Sequence, residues 1–358
     1  MSSRNVPATG TSTIPNVRNR SGQPTIVDVA AAAGVSRTTA SDALNGRGRV
    51  DVATRERVVD AASRLGYRSN LAARRLRSGK TGILALALPT FEAAGEESEA
   101  MGLDYYMRLT GAVAAAAFAR GYAVVLMPPL RTPGQLNDIP FDGAILSDPE
   151  AADQRLSQLR ARNAPVVTIE RDVTRTDPYY VATSTGPNTR LVLDHLAEKG
   201  AKRIALLSPD ASWAWIAETT DTYQNWSRAH QREEIVIPVP LRKLEGSSYE
   251  VCLRVLSAEH RPDALIAVAE RYPLGALRAA TDLGIRVPDD LMIVAGVDSH
   301  ASAQVKPGIT ALDLHPERAA GLAVEMLTAR LNQTNVAAPQ TVEGDLIIRD
   351  STLRSSTA

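Results

Sequence analysis

The fold of the N-terminal region is decided by the stretch TIVDVAAAAGVSRTTASDAL, residues 25–44. Thr25 can cap a first helix, and Asp28 stands where the acidic partner of a capping box belongs. Gly34 can adopt the left-handed backbone that ends this helix, and Ser36 can cap a second one. Two short helices joined by a tight glycine-containing turn predict a helix-turn-helix motif.

A third helix is expected to cover the first two. Asp51 can cap it, and its apolar pattern continues until Gly66. The residues that we expect to face inward in the three helices are Val29, Ala30, Ala33, Ala40, Ala43, Leu44, Val58, Ala62 and Leu65. Because many of these residues are small, the helices can pack closely and leave the outer side of the second helix exposed.

The outer side of the second helix carries hydrogen-bonding side chains. A recognition helix places such residues, especially N-terminal ones, against base edges in the major groove. We therefore predict that Arg37, Thr38 and Asp42 contact bases: arginine pairs with guanine, threonine with a thymine methyl group, and a carboxylate with a cytosine amino group. The residues predicted to hold phosphates are Ser36, Thr39, Ser41, Asn45 and Arg49. The alternative is a three-helix module whose arginines only solvate its surface.

Charge is unevenly distributed along the 358 residues. Lys and Arg total 40, as do Asp and Glu, but residues 1–80 hold 14 basic and five acidic residues. The remainder holds 26 basic and 35 acidic residues. A basic segment attached to an acidic body suggests a polyanion-binding protein. Cys252 is the only cysteine, which excludes an internal disulfide and fits a reducing cytoplasm.

From about residue 82 the pattern changes to short apolar runs that alternate with amphipathic helical stretches, such as 107–120, 188–199 and 317–331. Such runs are typical of parallel strands buried on both faces. The predicted strands are 82–89, 122–128, 142–147, 165–170, 203–208, 263–269 and 291–297. This number of strands favours two α/β lobes over one sheet. The cleft between lobes is then the expected small-molecule site.

Several motifs occur in the order and spacing of a known family. TIVDVAAAAGVSRTTASDALNG, RVDVATRERVVDAASRLGY, NLAARRL and GILALALP span residues 25–89. This region closely resembles the N-terminal region of LacI/GalR-family transcriptional regulators. The rest more loosely resembles the family's periplasmic-binding-protein-like effector domain, through HLAEKGAKRIALL, RPDALIAVAERYPLGALRAATDLGIRVPDDLMIVAGVD and LIIRDST.

The resemblance implies a fold and a domain order. We expect an N-terminal all-α helix-turn-helix DNA-binding domain plus a hinge helix, joined to an α/β two-lobed periplasmic-binding-protein-like domain with parallel sheets. The segments are a disordered arm (1–23), the helix-turn-helix domain (24–69), the hinge helix and linker (70–80), and an effector-binding and dimerisation domain (81–358). Because the family's chain crosses between lobes three times, the expected lobes are about 81–182 with 310–336, and about 183–309 with 337–358.

The segment SNLAARRLRSGK, residues 69–80, is the predicted hinge. Asn70 can cap a helix there, but so short a helix is marginal in water and should form only with help. In the family this segment folds on the operator as a dimer pair. Leu76 matches the leucine that wedges into the minor groove, Ala73 matches a small residue at the groove floor, and Arg74 suits a phosphate or a narrow minor groove. The alternative is a basic linker with a leucine docked on the body.

The effector cleft is where the sequence departs from the family pattern. Tyr105 and Tyr106 match an aromatic pair that lines the cleft. Asp298 matches one acid of a paired-aspartate loop, in which Val297 replaces the other, and Thr219 lies near the position of an arginine that grips sugars. The candidate effector-binding residues are Tyr105, Tyr106, Asp148, Trp215, Glu270 and Asp298.

Further departures disfavour an ordinary pentose or hexose. An Asn-Asp pair expected before an arginine reads Ala269-Glu270, and an Asp-Asn pair expected ahead of HLAEKG reads Ser184-Thr185. Trp213 and Trp215 can stack on a flat ring, although core packing or a lobe interface explains two tryptophans equally well. A regulator without a small-molecule effector is therefore an open alternative.

Catalytic motifs do not assemble. SGKTG at 78–82 offers part of a phosphate loop, but Arg74 stands where the leading glycine belongs and the segment precedes a strand. The five histidines are scattered without an HExxH pair, and no GxSxG turn occurs. We therefore predict no enzyme activity, no cofactor and no metal. A solute-binding protein is the other alternative, but it needs an export signal and has no use for a basic helix-turn-helix.

The sequence thus predicts a cytoplasmic, sequence-specific transcriptional regulator, acting as a repressor. Its expected partners are a near-palindromic double-stranded DNA operator, a small-molecule effector of unknown identity and a second copy of the chain. The homodimer follows because a two-fold operator needs two recognition helices about one DNA turn apart. No run of 18 apolar residues occurs, so no membrane span is expected.

Overall fold

The computed structural model describes residues 24–45, 48–67, 80–89, 102–127, 139–174 and 177–354. The chain divides into two compact units, residues 1–79 and 80–358. The predicted arm lies outside the described residues, and so does the predicted hinge except for Lys80. In the described part of the chain, no helix has both the length and the apolar character needed to cross a bilayer.

The described part of the N-terminal unit, residues 24–45 and 48–67, is a three-helix module. Its helices are α1 (Ile26–Ala33), α2 (Arg37–Asn45) and α3 (Val52–Arg64). They enclose a small core of Val29, Ala30, Ala40, Ala43, Val58, Ala61 and Ala62. Leu65 was expected in this core, and that prediction is wrong: the residue follows the last turn of α3 and is 36% exposed. Ala61, one helical turn earlier, takes the inward position.

The second unit is an α/β body of twelve strands within the described residues. The elements up to residue 183 are β1 (Ile83–Ala87), α4 (Asp104–Ala119), β2 (Ala123–Leu126), β3 (Gly143–Ser147), α5 (Gln154–Ala161), β4 (Val166–Ile169) and β5 (Tyr180–Thr183). The next group is α6 (Thr185–Glu198), β6 (Ile204–Pro209), α7 (Ala214–Ala229), β7 (Ile235–Val239), α8 (Leu244–Leu256), β8 (Ala264–Ala267), α9 (Tyr272–Asp282), β9 (Met292–Ala295), α10 (His300–Gln304) and β10 (Thr310–Asp313). The chain continues with α11 (Pro316–Leu331), β11 (Gln340–Val342), β12 (Asp345–Ile347) and a short 3-10 helix (Asp350–Thr352).

The twelve strands form two six-stranded sheets of matching order. The first sheet is β11-β5-β4-β3-β1-β2, and the second is β12-β10-β9-β8-β6-β7. Every neighbouring pair is parallel except β10 and β12, which are antiparallel. The predicted architecture of two α/β lobes with parallel sheets is confirmed.

The core lies between these sheets and their helices. Strands β3, β4, β8 and β9 are buried along their whole length, which is why they read as uninterrupted apolar runs. Helices α4 and α11 pack against each other over the first lobe, and α8 and α9 pack against each other over the second.

The lobe boundaries need a correction. The expected first lobe included 310–336, but β10 pairs with β9 and therefore belongs to the second sheet. The expected second lobe included 337–358, but β11 pairs with β5 in the first sheet. The chain therefore crosses between lobes after Asp313 and again after Val342. The crossings were misplaced because the boundaries were taken from the family resemblance, and neither β10 nor β11 was among the predicted strands.

Candidate DNA-binding helix and effector cleft

Hydrogen bonds fix the turn between α1 and α2. The backbone N of Thr25 donates to Asp28 Oδ2 at 2.7 Å and completes the capping box. Gly34 ends α1 with a φ of 68°, which glycine adopts without strain. Ser36 Oγ accepts a hydrogen bond from the backbone N of Thr39 at 3.1 Å and so caps α2. The predicted capping residues are therefore confirmed, and they set the direction in which α2 leaves the turn.

The first turn of α2 presents polar side chains to solvent. Arg37 and Thr38 are exposed, whereas Ala40 is fully buried in the three-helix core. Among the other predicted DNA contacts, Ser36 and Arg49 are exposed, and Thr39, Ser41 and Asp42 are half-buried. The described structure thus leaves the N-terminal end of α2 accessible while its opposite side is packed.

The half-buried Asp42 side chain lies close to the protein's own backbone as well as to solvent. A β-carbon added to Gly48 would lie 3.1 Å from Asp42 Oδ2, so the carboxylate lies against the turn that follows α2. Gly48 has a φ of 70°, a conformation that favours glycine. Asp42 therefore packs against this turn as well as occupying a predicted base-contact position.

The remaining predicted DNA contacts lie outside the described residues. They are the predicted minor-groove residues Ala73, Arg74 and Leu76 and the side chain of Asn45.

An interlobe cavity lies where the carboxyl ends of strands from both sheets meet. It offers about 110 Å³ of space to the centres of water-sized spheres, and its concave, largely apolar wall with a few polar groups is typical of small-molecule sites. Residues of the first lobe that line it include Leu103, Tyr105, Tyr106, Asp148, Glu170 and Thr183. Residues of the second lobe that line it include Asn188, Trp213, Trp215, Thr219, Glu270 and Val297.

Two acidic residues lie at the ends of neighbouring strands on the first-lobe side of the cavity. Ser147 pairs with Ile169 in the register of β3 and β4, so Asp148 and Glu170 are the next residues at the ends of neighbouring strands. Both have left-handed backbone, with φ values of 50° and 71°. Such conformations are unfavourable for residues other than glycine and concentrate at functional sites.

Hydrogen bonds orient the two carboxylates differently. Asp148 Oδ2 accepts from Tyr106 Oη at 2.9 Å and from Ser147 Oγ at 2.7 Å. Glu170 Oε1 accepts from the backbone N and the Oγ1 of Thr183, at 2.9 and 2.8 Å. Both hydrogen bonds that Glu170 accepts from described residues go to Oε1.

Burial controls the protonation of these groups. It raises the pKa of Asp148 against the opposing effect of its hydrogen-bond donors. Burial and, second, the charge of Asp148 raise the pKa of Glu170 to about 8. Burial also raises the pKa of Glu270, and it raises the pKa values of Tyr105 and Tyr106 well above the ordinary tyrosine value. The cavity therefore penalises negative charge that lacks a nearby counter-ion.

Hydrogen bonds connect the lobes across the cavity, and two sets of them involve candidate effector residues. Trp215 Nε1, from the second lobe, donates to Asp148 Oδ1 in the first at 3.0 Å. Glu270, at the end of β8, accepts from the backbone N of Asp104 at 2.9 Å and of Tyr105 at 3.0 Å. The second pair caps the positive N-terminal end of α4 with a carboxylate from the other lobe. A ligand that enters the cavity can therefore contact residues of both interlobe hydrogen-bond sets.

Asp298 is the one candidate effector residue that the structure does not bring to the cavity. Its two carboxylate oxygens accept from Arg349 Nη1 and Nη2 at 2.7 and 3.0 Å. Its neighbour Val297 lines the cavity instead. The other five candidates, Tyr105, Tyr106, Asp148, Trp215 and Glu270, all line it.

Glu170 and Asn188 are lining residues that sequence reasoning missed. Glu170 was assigned only as the last residue of a predicted strand, although an acid at the carboxyl end of a buried strand is a usable signal, since ligands of α/β sheets bind there. Asn188 lies in the first turn of α6, and its Oδ1 accepts from the backbone N of Gly344 at 3.1 Å. No sequence signal distinguished Asn188 from a surface asparagine.

Comparisons with known proteins agree with this geometry. Residues 25–70 match the model of "Bacterial regulatory proteins, lacI family", and residues 193–352 match that of a "Periplasmic binding protein-like domain". The chain is 27% identical over 342 residues to the HTH-type transcriptional repressor PurR of Mannheimia succiniciproducens, covering 91% of this chain and 98% of the relative. It is 23% identical to catabolite control protein A of Staphylococcus epidermidis, covering 89% and 95%. The chain belongs to the LacI/GalR family of transcriptional regulators.

Solved structures agree with this membership of the LacI/GalR family. A complex of the transcriptional regulator CelR with cellobiose matches with a TM-score of 0.69 and 25% identity, over 92% of this chain and all of that one. A Lac repressor dimer bound to operator and the anti-inducer ONPF matches in fold, with a TM-score of 0.73 and 23% identity over 92% and 99%. Against this LacI/GalR background, Thr219 and Val297 both line the cavity at positions where the resemblance led us to expect an arginine and an aspartate.

Proposed function

We propose that this LacI/GalR-family chain is a repressor that acts in the cytoplasm and binds a near-palindromic operator as a homodimer. Each copy places α2 in the major groove, with Arg37 and Thr38 against base edges. Ser36, Thr39 and Arg49 hold neighbouring phosphates, which sets the register of the helix on the duplex. A small molecule in the interlobe cavity changes operator affinity.

The observation that carries this proposal is the exposed polar first turn of α2 on a packed helix-turn-helix. Arg37 and Thr38 are exposed and Ala40 is buried, so the helix can enter a groove without unfolding its own core. The basic character of residues 1–80 supports the same conclusion, because phosphate neutralisation supplies much of DNA affinity. Relatives named as repressors support the direction of control.

The effector part of the proposal depends on the links between the lobes. The hydrogen bonds Trp215–Asp148 and Glu270–Tyr105 join residues of different lobes at the cavity wall. A ligand that contacts these residues binds one lobe arrangement better than another, which is the requirement for shifting a conformational equilibrium. The arrangement favoured by the ligand then sets the operator affinity of the dimer.

Selection from a random pool of duplex DNA with the full-length chain tests the proposal. We expect enrichment of a near-palindrome whose half-sites lie about one DNA turn apart. Affinity for the selected site should fall steeply with salt, by roughly a thousandfold or more between low and physiological ionic strength if about six phosphates are contacted. Recovery of no common sequence, or a flat salt dependence, would overturn it.

A further inference from the structure

The interlobe cavity has an unusual charge balance. Three carboxyl groups, those of Asp148, Glu170 and Glu270, line it, and no lysine, arginine or histidine is among its described lining residues. Arg171 and Arg271 follow two of these acids in the sequence but are engaged elsewhere. Arg171 pairs with Glu218 at 2.6 Å, and Arg271 donates to a backbone carbonyl at 2.8 Å.

The three acids differ in what they have left to offer a ligand. Both oxygens of Glu270 accept backbone hydrogen bonds from the first turn of α4. Asp148 accepts from Ser147, Tyr106 and Trp215. Glu170 is 6% exposed, and both hydrogen bonds that it accepts from described residues go to its Oε1. Glu170 Oε2 is therefore the open acceptor, and Asp148, held by three donors, is its fixed acidic neighbour.

Two charges on Asp148 and Glu170 are unfavourable without a partner. Neighbouring buried carboxylates repel each other and the interior solvates them poorly, so the raised pKa of Glu170 keeps this group protonated at neutral pH. Both residues also hold the left-handed backbone described above. A cation that reaches both side chains would take the place of that proton and offset repulsion and desolvation together. A metal ion is not indicated, since the described residues contain no group of three or more His, Cys, Asp or Glu arranged to hold one.

The rest of the cavity wall indicates the shape and polarity of the remaining part of the ligand. The rings of Trp213 and Trp215 are stacked, with centroids 5.6 Å apart and an angle of 23° between their planes. Indole rings favour flat apolar groups and also attract cations. Leu241, Leu244 and Val268 extend this apolar surface.

A buried side-chain amide without an acceptor is an independent indication of a ligand. Asn188 is 5% exposed and lines the cavity, and its Nδ2 has no acceptor among the described residues. Its Oδ1 is already engaged by Gly344, which fixes Nδ2 as the free end. Buried polar groups normally have partners, so a ligand acceptor atom is expected beside Nδ2.

We propose that the effector of this protein is an organic cation: a small molecule whose protonated amine binds Glu170 Oε2 next to Asp148. Its flat apolar body lies along Trp213 and Trp215, and an acceptor atom on it receives a hydrogen bond from Asn188 Nδ2. This inference deepens the proposed function, on which it rests, by naming the chemical class of the effector.

Thermal unfolding of the full-length chain with matched pairs of compounds tests the inference without DNA. Suitable probes are tryptamine against tryptophol and phenethylamine against phenethyl alcohol, because each pair exchanges a protonated amine for a hydroxyl on the same body. Native-state binding raises Tm by mass action. We expect the amine of each pair to raise Tm and the alcohol to have a much smaller effect, at equal ionic strength.

Two variants sharpen the result. Glu170→Gln keeps the shape of the side chain and should weaken amine binding by about tenfold or more, as expected for loss of a charged hydrogen bond, with little change for the alcohols. Glu343→Gln is the matched control, because Glu343 is exposed and does not line the cavity; its amine affinity should equal that of the wild type.

Three results would overturn the inference: alcohols that raise Tm as much as the amines, amine binding unaffected by Glu170→Gln, or no response to any amine. Operator binding is measured separately, so the two proposals fail independently. If the amine response is absent and operator binding is intact, only the proposal of a cationic effector fails. If amines bind and the operator does not, the proposed regulatory function fails and the cation-binding cleft stands.

Discussion

Replacing Glu170 by glutamine should stabilise the ligand-free protein at alkaline pH. Burial and the charge of Asp148 raise the pKa of Glu170 from 4.5 to about 8. Between these values the folded protein holds a proton that the unfolded chain has lost. Stability therefore falls as pH rises from 4.5 and levels off above the folded-state pKa. Glutamine, which carries no charge, avoids this loss.

The size of the effect follows from the same pKa difference. One pKa unit corresponds to about 1.4 kcal/mol, so the full penalty on the ionised form is on the order of 5 kcal/mol. Water entry and relaxation reduce such penalties in real proteins, which leaves a gain of roughly 2 to 4 kcal/mol above about pH 8. At about 2 °C for each kcal/mol in a domain of this size, Glu170→Gln should raise Tm by about 4 to 8 °C.

The assay is thermal unfolding of the wild type and Glu170→Gln without ligand, at about pH 5 and about pH 9. The two proteins should differ little at the lower pH and clearly at the higher one. Glu343→Gln removes an exposed carboxylate and should show no such pH-dependent difference. A Tm gain that is equal at both pH values, or a Tm loss at the higher pH, would refute the argument that Glu170 is a desolvated acid.

Three further predictions concern DNA binding. In Gly34→Ala the added methyl group meets open space, but alanine is forced into a left-handed φ of 68°, at a cost of about 1 kcal/mol. The helix-turn-helix should therefore unfold at a lower temperature, as followed by circular dichroism, and bind operator more weakly. An unchanged melting temperature would show that the turn tolerates alanine. Leu76→Ala should weaken binding to the selected operator while leaving affinity for unrelated DNA nearly intact; equal losses on both DNAs would contradict a minor-groove wedge. Asp42→Asn should alter base preference in a repeated selection, whereas an unaltered preference with lower stability would reduce Asp42 to its packing role beside Gly48.

Local chemistry made much of the fold predictable. Thr25, Gly34 and Ser36 act through hydrogen bonds and backbone angles within a few residues, so the sequence was enough to place the first two helices. All seven predicted strands exist. Six of them are buried along nearly their whole length and are therefore apolar throughout, whereas β2 is partly exposed. Five strands were not predicted: β5, β7, β10, β11 and β12. Of these, β7 contains Pro238, which is tolerated there because β7 lies at the edge of its sheet.

The cavity was less predictable because its chemistry depends on strand register. Asp148 and Glu170 are 22 positions apart in the sequence, and only the pairing of β3 with β4 makes them neighbours. Asp298 was assigned to the cleft from the resemblance alone, but its partner Arg349 comes from the C-terminal segment that folds back on the second lobe. Such contacts are tertiary and leave no trace in local sequence patterns.

The most direct test of whether α2 recognises base sequence is the affinity of wild type and Arg37→Ala for every single-base-pair variant of the selected operator. Arg286→Ala, which removes an exposed arginine of the effector unit, is the control. We expect Arg37→Ala to lose about 1 to 3 kcal/mol through one base pair in each half-site and to become indifferent to the base at that position. A uniform loss over all sequences would make Arg37 a phosphate contact, and no loss at all would contradict the placement of α2 in the major groove.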